Sequence, residues 1–249
     1  MEYISSGIVL WKTIKGKLHL FLGKNGAYLK EYIPKTHINI EALETISDTT
    51  IDSAIQKFSA TAKQLQQQLG MRIQFSLPNE LLLADGTKQY KTIFFYLKED
   101  SKFGFIKGSI EAGEIPSQTV NREFFEETGV KEDIFNYSSV GTINLTKQGN
   151  YYFYSKEGSI HFYLQEHDMD DKLYMAIYKS LEFRKGLNLG ELFDAGFYDI
   201  DVVVANKKIL NQISEEVLNH ILANRIQEMK GGRKRKRKTY RRKYSRRRK

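Results

Sequence analysis

Three glutamates, Glu123, Glu126 and Glu127, stand at spacings i, i+3 and i+4. On a helix that spacing brings all three to one face within a turn. Like charges so close oppose helix formation, and only Arg122 is adjacent to relieve them. A divalent cation removes the conflict, because Mg²⁺ and Mn²⁺ prefer carboxylate oxygens and water. Upstream, Gly108 and Gly113 bracket a loop able to fold back over the helix, and Glu111 and Glu114 on that loop add further carboxylates. A carboxylate site without His or Cys suits metal-assisted attack of water on a phosphate. The plainer reading is a solvated acidic helix face, and for Glu126 and Glu127 alone it is the better one.

The elements that must position these residues follow from periodicity. Ile115 to Thr128 reads as a helix: Pro116 suits its first turn, Val120 and Phe124 form an apolar i, i+4 pair, and Gly129 suits the position just past its end. Ahead of it, Gly7–Trp11 and Lys17–Leu22 are strand-length apolar runs joined by a hairpin-like Ile14-Lys15-Gly16. The Gly23-Lys24-Asn25-Gly26 stretch resembles a turn and lacks the spacing of a phosphate loop. Residues 28–91 follow a different pattern. Within them Ile51, Ile55, Phe58, Ala62, Leu65 and Leu69 recur at helical spacing, and Gly70 serves as a stop. Thr92–Lys98 and Phe103–Lys107 return to strand character, and Ser138–Leu145, Tyr151–Tyr154, Ser159–Leu164 and Tyr198–Val204 are later strand candidates. A closing helix is expected over about Asn206 to Met229. Strands, one central helix, more strands and a final helix predict an α/β fold of the α+β kind, a mixed sheet with helices packed on it.

Composition narrows the partners. The 249 residues include no Cys, which excludes disulfides, thiolate nucleophiles and Cys-based zinc sites. No apolar run approaches the roughly 20 residues that span a bilayer, and the first residues lack the pattern of a secretory signal. An intracellular protein, cytoplasmic or nuclear and without a membrane partner, is expected. The five histidines, His161 and His167 among them, have no metal-ligand spacing with one another. The net charge of +9 conceals an asymmetry: Lys230–Lys249 carries 14 Lys/Arg and no acid, whereas the rest of the chain holds 25 basic residues against 30 acids. A mildly acidic body with a strongly basic tail points to a polyanion partner for the tail. Such a tail cannot pack a core and is expected to be disordered when free. Its functional readings are RNA or DNA binding, with Tyr240 and Tyr244 available to stack on bases, or nuclear import. A solubilising appendage is the bland alternative.

The segment from Gly108 to Val130 fits the pattern G-x5-E-x7-R-E-U-x-E-E-x-G-U at every position, with U aliphatic or aromatic. It closely resembles the signature of the Nudix hydrolase family. The resemblance implies a Nudix-like α/β/α sandwich over residues 1–229, with an inserted helical segment at about 28–91, a Nudix box at 108–130 and a separate basic tail at 230–249. It implies Mg²⁺ or Mn²⁺ as cofactor, Glu123, Glu126 and Glu127 as metal-ligand positions, Arg122 orienting a glutamate, Gly108 allowing close backbone approach and Glu114 supporting the loop. The activity implied is hydrolysis of a nucleoside diphosphate linked to another moiety. Ile106-Lys107-Gly108 resembles the Pro-Lys-Gly opening of members acting on capped RNA, dinucleoside polyphosphates or inositol pyrophosphates, with Ile106 in place of the Pro. Lys107 then either reaches a substrate phosphate or is an exposed loop lysine. Many members recruit a glutamate from outside the box as a base or extra ligand. Glu191 is the candidate here, with Glu182 and Glu166 as alternatives. The compact body and basic tail also resemble the Nudix proteins of large DNA viruses. The expected function is metal-dependent pyrophosphohydrolysis, with the RNA 5′ cap the favoured substrate and small nucleotides or dinucleoside polyphosphates next. The alternative is a catalytically idle Nudix fold that binds RNA or acts as a scaffold through its tail.

Overall fold

The structure, a computed structural model, describes residues 3–33, 38–47, 49–131, 139–146, 159–166 and 171–224. The chain opens with β1 (Tyr3–Ile14), β2 (Lys17–Asn25) and β3 (Ala27–Tyr28), then α1 (Leu29–Tyr32), β4 (Thr45–Ser47) and α2 (Ile51–Leu69). Next come β5 (Ile73–Phe75), β6 (Asn79–Leu82), β7 (Lys88–Lys91), β8 (Phe94–Tyr96), β9 (Phe103–Gly104) and β10 (Ile106–Ser109). After them follow α3 (Pro116–Thr128), β11 (Ser139–Thr146), β12 (Ser159–Glu166), α4 (Asp171–Leu187), β13 (Leu192–Asp199), α5 (Ile200–Ala205) and α6 (Gln212–Asn224). The expected strand Tyr151–Tyr154 and the basic tail lie outside the described residues.

Seven strands form the main sheet. Its order is β11-β12-β1-β2-β13, with β10 also paired to β1 and β9 to β2. The β1–β12 pair is parallel and the others are antiparallel, so the sheet is mixed. The β1–β2 hairpin closes through Lys15 and Gly16, both at positive φ, which matches the right-handed twist of the flanking strands. Alternation along β1 and β2 then sorts the core. Ile8, Leu10 and Phe21 face Val120 and Phe124 of α3 and Leu173 and Ile177 of α4. Val9, Trp11, Leu20 and Leu22 face Ile200 and Val203 of α5 and Val217, Leu218 and Ile221 of α6. Helices therefore cover both faces of the sheet, giving the expected α/β/α sandwich.

Residues 28–91 contain more than a helix. Thr50 Oγ1 accepts from the Ser53 N–H at 3.3 Å to cap α2, and Gly70 ends it at φ 67°. Two three-stranded sheets, β3-β8-β5 and β4-β7-β6, accompany α2, and Ile73, Phe75, Phe94 and Tyr90 from them share a core with its Phe58, Ala62 and Leu65. Phe58, Phe75 and Phe94 form the aromatic centre of a core that is separate from the two layers flanking the main sheet.

Four local expectations need correction. Gly23–Asn25 is the end of β2, not a turn, because Gly23 and Lys24 pair with Ala195 and Asp194 on one side and Gly104 and Phe103 on the other. The strand expected over Tyr198–Val204 stops at Asp199, whose Oδ1 accepts from the Asp201 N–H at 2.9 Å and starts a helix that buries Ile200 and Val203. The closing helix is broken before Gln212. Leu210 bridges Phe103 and enters the core, the Asn211 N–H donates to Phe103 O at 2.8 Å, and Asn211 Oδ1 then caps α6 through the Ser214 N–H at 2.9 Å. Finally, α4 was not anticipated: it buries only Leu173, Ile177 and Arg184, a weak apolar stripe for so long a helix.

Candidate functional site

Helix α3 begins where the sequence places it. Pro116 occupies its first turn, Gln118 Oε1 accepts from the Ile115 N–H at 3.0 Å, and Gly129 closes it at φ 76°. The loop 109–115 runs from β10 back to this helix. Its shape depends on one ion-pair network. Arg122 donates from Nε to Glu114 Oε1 at 2.8 Å and from Nη2 to Glu114 Oε2 at 3.1 Å. The same Nη2 reaches Ser109 O at 2.8 Å. Nη1 faces the other way, to Glu123 Oε1 at 2.6 Å and Glu126 Oε2 at 3.1 Å. Glu114 Oε2 also accepts from the Glu111 N–H at 3.1 Å and from Thr119 Oγ1 at 2.8 Å. These donors, Arg122 foremost, hold the Glu114 carboxyl down at about 2.

The other carboxyls move in the opposite direction. Burial pushes Glu127 well above the ordinary range, and the neighbouring charges of Glu123 and Glu191 push it further. Lys107 and a hydrogen bond from the Asn25 side chain only partly oppose them. Glu123 and Glu126 are also raised, burial again being the larger cause and Arg122 the opposing one. Glu191 is pushed up to about 7 by burial, then by Glu123 and Glu126. Four glutamates thus feel one another's charge, with Arg122 and Lys107 as the balancing cations.

The candidate residues divide accordingly. Glu123, Glu126, Glu127, Arg122 and Glu191 come together, although Glu191 lies more than sixty positions from the box. Lys107 pairs opposite Gly7 on β10 and its charge reaches Glu123 and Glu127. Gly108 touches Glu123 so closely that a Cβ there would overlap its carboxylate. Glu182 is exposed on α4, and Glu166 ends β12.

Sequence reasoning missed three supports. Ser5 Oγ donates to Gly108 O at 2.6 Å and fixes the strand beneath Glu123. Asn25 belongs to the turn-like Gly23–Gly26 stretch, yet its side chain is close enough to Glu127 to oppose the rise of that carboxyl. Arg184, 6% exposed, donates from Nη1 to Glu126 O at 2.6 Å and so caps the C-terminal carbonyls of α3. Burial lowers that guanidinium to about 10. Nothing local in the sequence marks Arg184; only the packing of α4 on α3 brings it there.

The donor chemistry fits a divalent ion. Buried carboxylate oxygens in excess over nearby cations form the ligand set that Mg²⁺ or Mn²⁺ prefers. As the side chains stand, no group of three acidic or histidine side chains able to hold an ion occurs among the described residues. Arg122 takes oxygens of both Glu123 and Glu126.

Two outcomes follow from this geometry. In Gly108→Ala the added methyl displaces the Glu123 carboxylate, the flexible partner in the overlap. Circular dichroism should show an intact fold while turnover falls on the order of 100-fold. Glu114 is ionised in the folded chain down to about 2, below the ordinary carboxylate value of roughly 4.3. The stability it contributes is therefore complete above the ordinary value and is lost as pH falls toward 2. Thermal midpoints of the wild type and Glu114→Gln should differ at neutral pH and converge near pH 2; a gap independent of pH contradicts the assignment.

A NUDIX domain family model matches residues 79–205, more than half of the chain. No curated protein matches it. Among solved structures, a Caenorhabditis elegans Ap4A hydrolase is similar at 12% identity and TM-score 0.41, with 89% of this chain and 98% of that one covered. A mutT/nudix family protein from Listeria innocua is similar at 12% identity and TM-score 0.41, covering 90% and 93%. The NUDIX domain of Shewanella oneidensis NrtR, in complex with ADP-ribose, is similar at 11% identity and TM-score 0.40, covering 88% and 85%. At these values the structural likenesses add nothing to the family match. With the complete Gly108–Val130 signature inside the matched residues, the chain belongs to the NUDIX domain family and is a Nudix hydrolase acting on phosphoanhydride bonds.

Proposed function

We propose that the chain is a metal-dependent pyrophosphohydrolase that cleaves a nucleoside diphosphate joined to another moiety, with the 5′ cap of RNA as its favoured substrate. The observation that carries the catalytic reading is the meeting of Glu123, Glu126, Glu127 and Glu191, whose mutual charge the chain's own cations do not balance. Glu123, Glu126 and Glu127 would hold Mg²⁺ or Mn²⁺. Such an ion neutralises charge developing on the diphosphate. Arg122 keeps Glu123 and Glu126 in place and ties the loop down through Glu114. Gly108 leaves room for the Glu123 carboxylate and for close approach of substrate to the backbone. Lys107 pairs with a substrate phosphate. Glu191 takes the proton from water as its oxygen attacks phosphorus, and the anhydride oxygen departs with the second phosphate. An idle binding module would gain nothing from so many crowded like charges, so the alternative of a pure scaffold is not favoured.

The preference for RNA rests on charge. The tail Lys230–Lys249 supplies 14 cations beside a body, residues 1–229, that is mildly acidic. A long RNA held by the tail would present its 5′ end to the box, in the cytoplasm or in the nucleus. Small nucleotides and dinucleoside polyphosphates are the next candidates. This architecture of compact body and basic tail also resembles the Nudix proteins of large DNA viruses. Among the described residues no helix is long and apolar enough to cross a membrane.

Glu127→Gln should abolish Mn²⁺-dependent release of product from a panel of capped RNA, cap dinucleotide and diadenosine polyphosphates, with the fold intact. Undiminished hydrolysis would remove Glu127 from the site. Deleting Lys230–Lys249 should slow cleavage of capped RNA far more than that of the cap dinucleotide. RNA affinity of the full chain should fall by about 0.7 log units per tenfold rise in salt for each phosphate neutralised. Equal loss on both substrates refutes tethering.

A further inference from the structure

Glu191 reaches the box from a short link, Asn188 to Glu191, between α4 and β13. That link has no regular structure of its own. It bends through positive φ at Asn188 (57°) and at Gly190 (112°). The end of α4 holds its start, the Asn188 N–H donating to Lys185 O at 3.2 Å and the Leu189 N–H to Arg184 O at 2.8 Å, and the inserted segment holds the rest from the other side. The Phe75 N–H of β5 donates to Asn188 O at 3.0 Å, and the Gly190 N–H donates back to Phe75 O at 2.7 Å. Phe75 and Leu189 thus form a parallel bridge across two parts of the chain. The Leu189 side chain, 5% exposed, is buried in the core built by Phe58, Phe75 and Phe94, whose other fully buried members all fall between Leu29 and Phe94. Just past Glu191, Arg72 Nη2 donates to Phe193 O at 3.0 Å, and its guanidinium lies 5.4 Å from the Phe193 ring centroid. Gly26, between β2 and β3, supplies one further bond to the link, from its N–H to Glu191 O at 3.1 Å.

We propose that the inserted segment is a brace for Glu191: β5 and Arg72 fix the link on both sides of the glutamate and so aim its carboxylate at the box. The inference rests on the reading of Glu191 as a catalytic group and assigns the segment a role in that same site. Arg72 is a positioning residue, acting through the Phe193 carbonyl and not on substrate. A link with two left-handed bends has no ladder to restore its shape once such anchors are lost. Small displacements of a reacting group are costly to turnover, so a brace of this kind acts on kcat and not on substrate binding.

The test uses the full chain carrying Arg72→Met, which keeps an apolar stem over Phe193 and removes the donor, and Leu189→Ala, which withdraws the link from the inserted core. In metal-free protein, the Gly190 and Gly26 amides should exchange with deuterium more than about 10-fold faster in both variants, while the amides of α3 keep their protection. Unchanged exchange at Gly190 and Gly26 overturns the brace. In turnover, Arg72→Met should lower kcat by about 10- to 100-fold with KM within about twofold, and Arg72→Lys should recover part of the loss. Combined with Glu191→Gln, Arg72→Met should add no further loss; independent, multiplying losses overturn the proposal. If Glu191→Gln alone turns over like the wild type, the catalytic reading of Glu191 fails instead, and the exchange measurement decides the brace by itself.

Discussion

The site depends on keeping several carboxylates, one buried and the others partly so, crowded together without letting them drive the structure apart. Burial raises Glu123, Glu126, Glu127 and Glu191, and the charges of Glu123, Glu126 and Glu191 raise their neighbours further. A charged group in a low-dielectric interior is unfavourable unless it is paired and hydrogen-bonded. Arg122 is the pairing that the chain provides. Its planar guanidinium binds Glu114 through two nitrogens and spreads its remaining donors over Glu123, Glu126 and the Ser109 carbonyl, a fork that Lys cannot reproduce. One side chain therefore shapes the loop and restrains two of the crowded acids.

The rest of the fold can be understood as the frame for that arrangement. The mixed sheet gives β10 a fixed register on β1, so Lys107 and Gly108 arrive beside α3. Helix α3 is pressed onto the sheet by Val120 and Phe124, and Arg184 of α4 satisfies its C-terminal carbonyls. On the opposite face, α5 and α6 seal the second apolar layer. Between these two layers a strand backbone comes within contact distance of the Glu123 carboxylate, where a Cβ would have to displace that side chain.

Much of this was legible in the chain before any coordinates. The spacing of Glu123, Glu126 and Glu127, the apolar pair Val120 and Phe124, and Gly129 located α3 to within a residue, because the signals are local and agree with one another. Helix α2 and its glycine stop were equally plain. Two of the failures have a common cause. Gly23–Asn25 carries turn-like residues but is captured between two partner strands. Leu210 carries a helical period but is captured by Phe103. In both places pairing with a distant segment overrode local preference, which is weak by comparison.

The sequence alone determined the chemistry: which acids share a helix face, which arginine stands beside them, and that the tail is basic and the body is not. These are properties of neighbours along the chain, set by helical geometry and by counting charges. Tertiary structure alone decided which further residues join them. Glu191, Asn25, Ser5 and Arg184 meet the box only because sheet pairing and helix packing close loops of tens to hundreds of residues. The link that bears Glu191 takes its shape from Phe75 and Arg72, more than a hundred positions earlier. No periodicity encodes such a meeting, since it is fixed by the burial of surfaces that become neighbours only on folding.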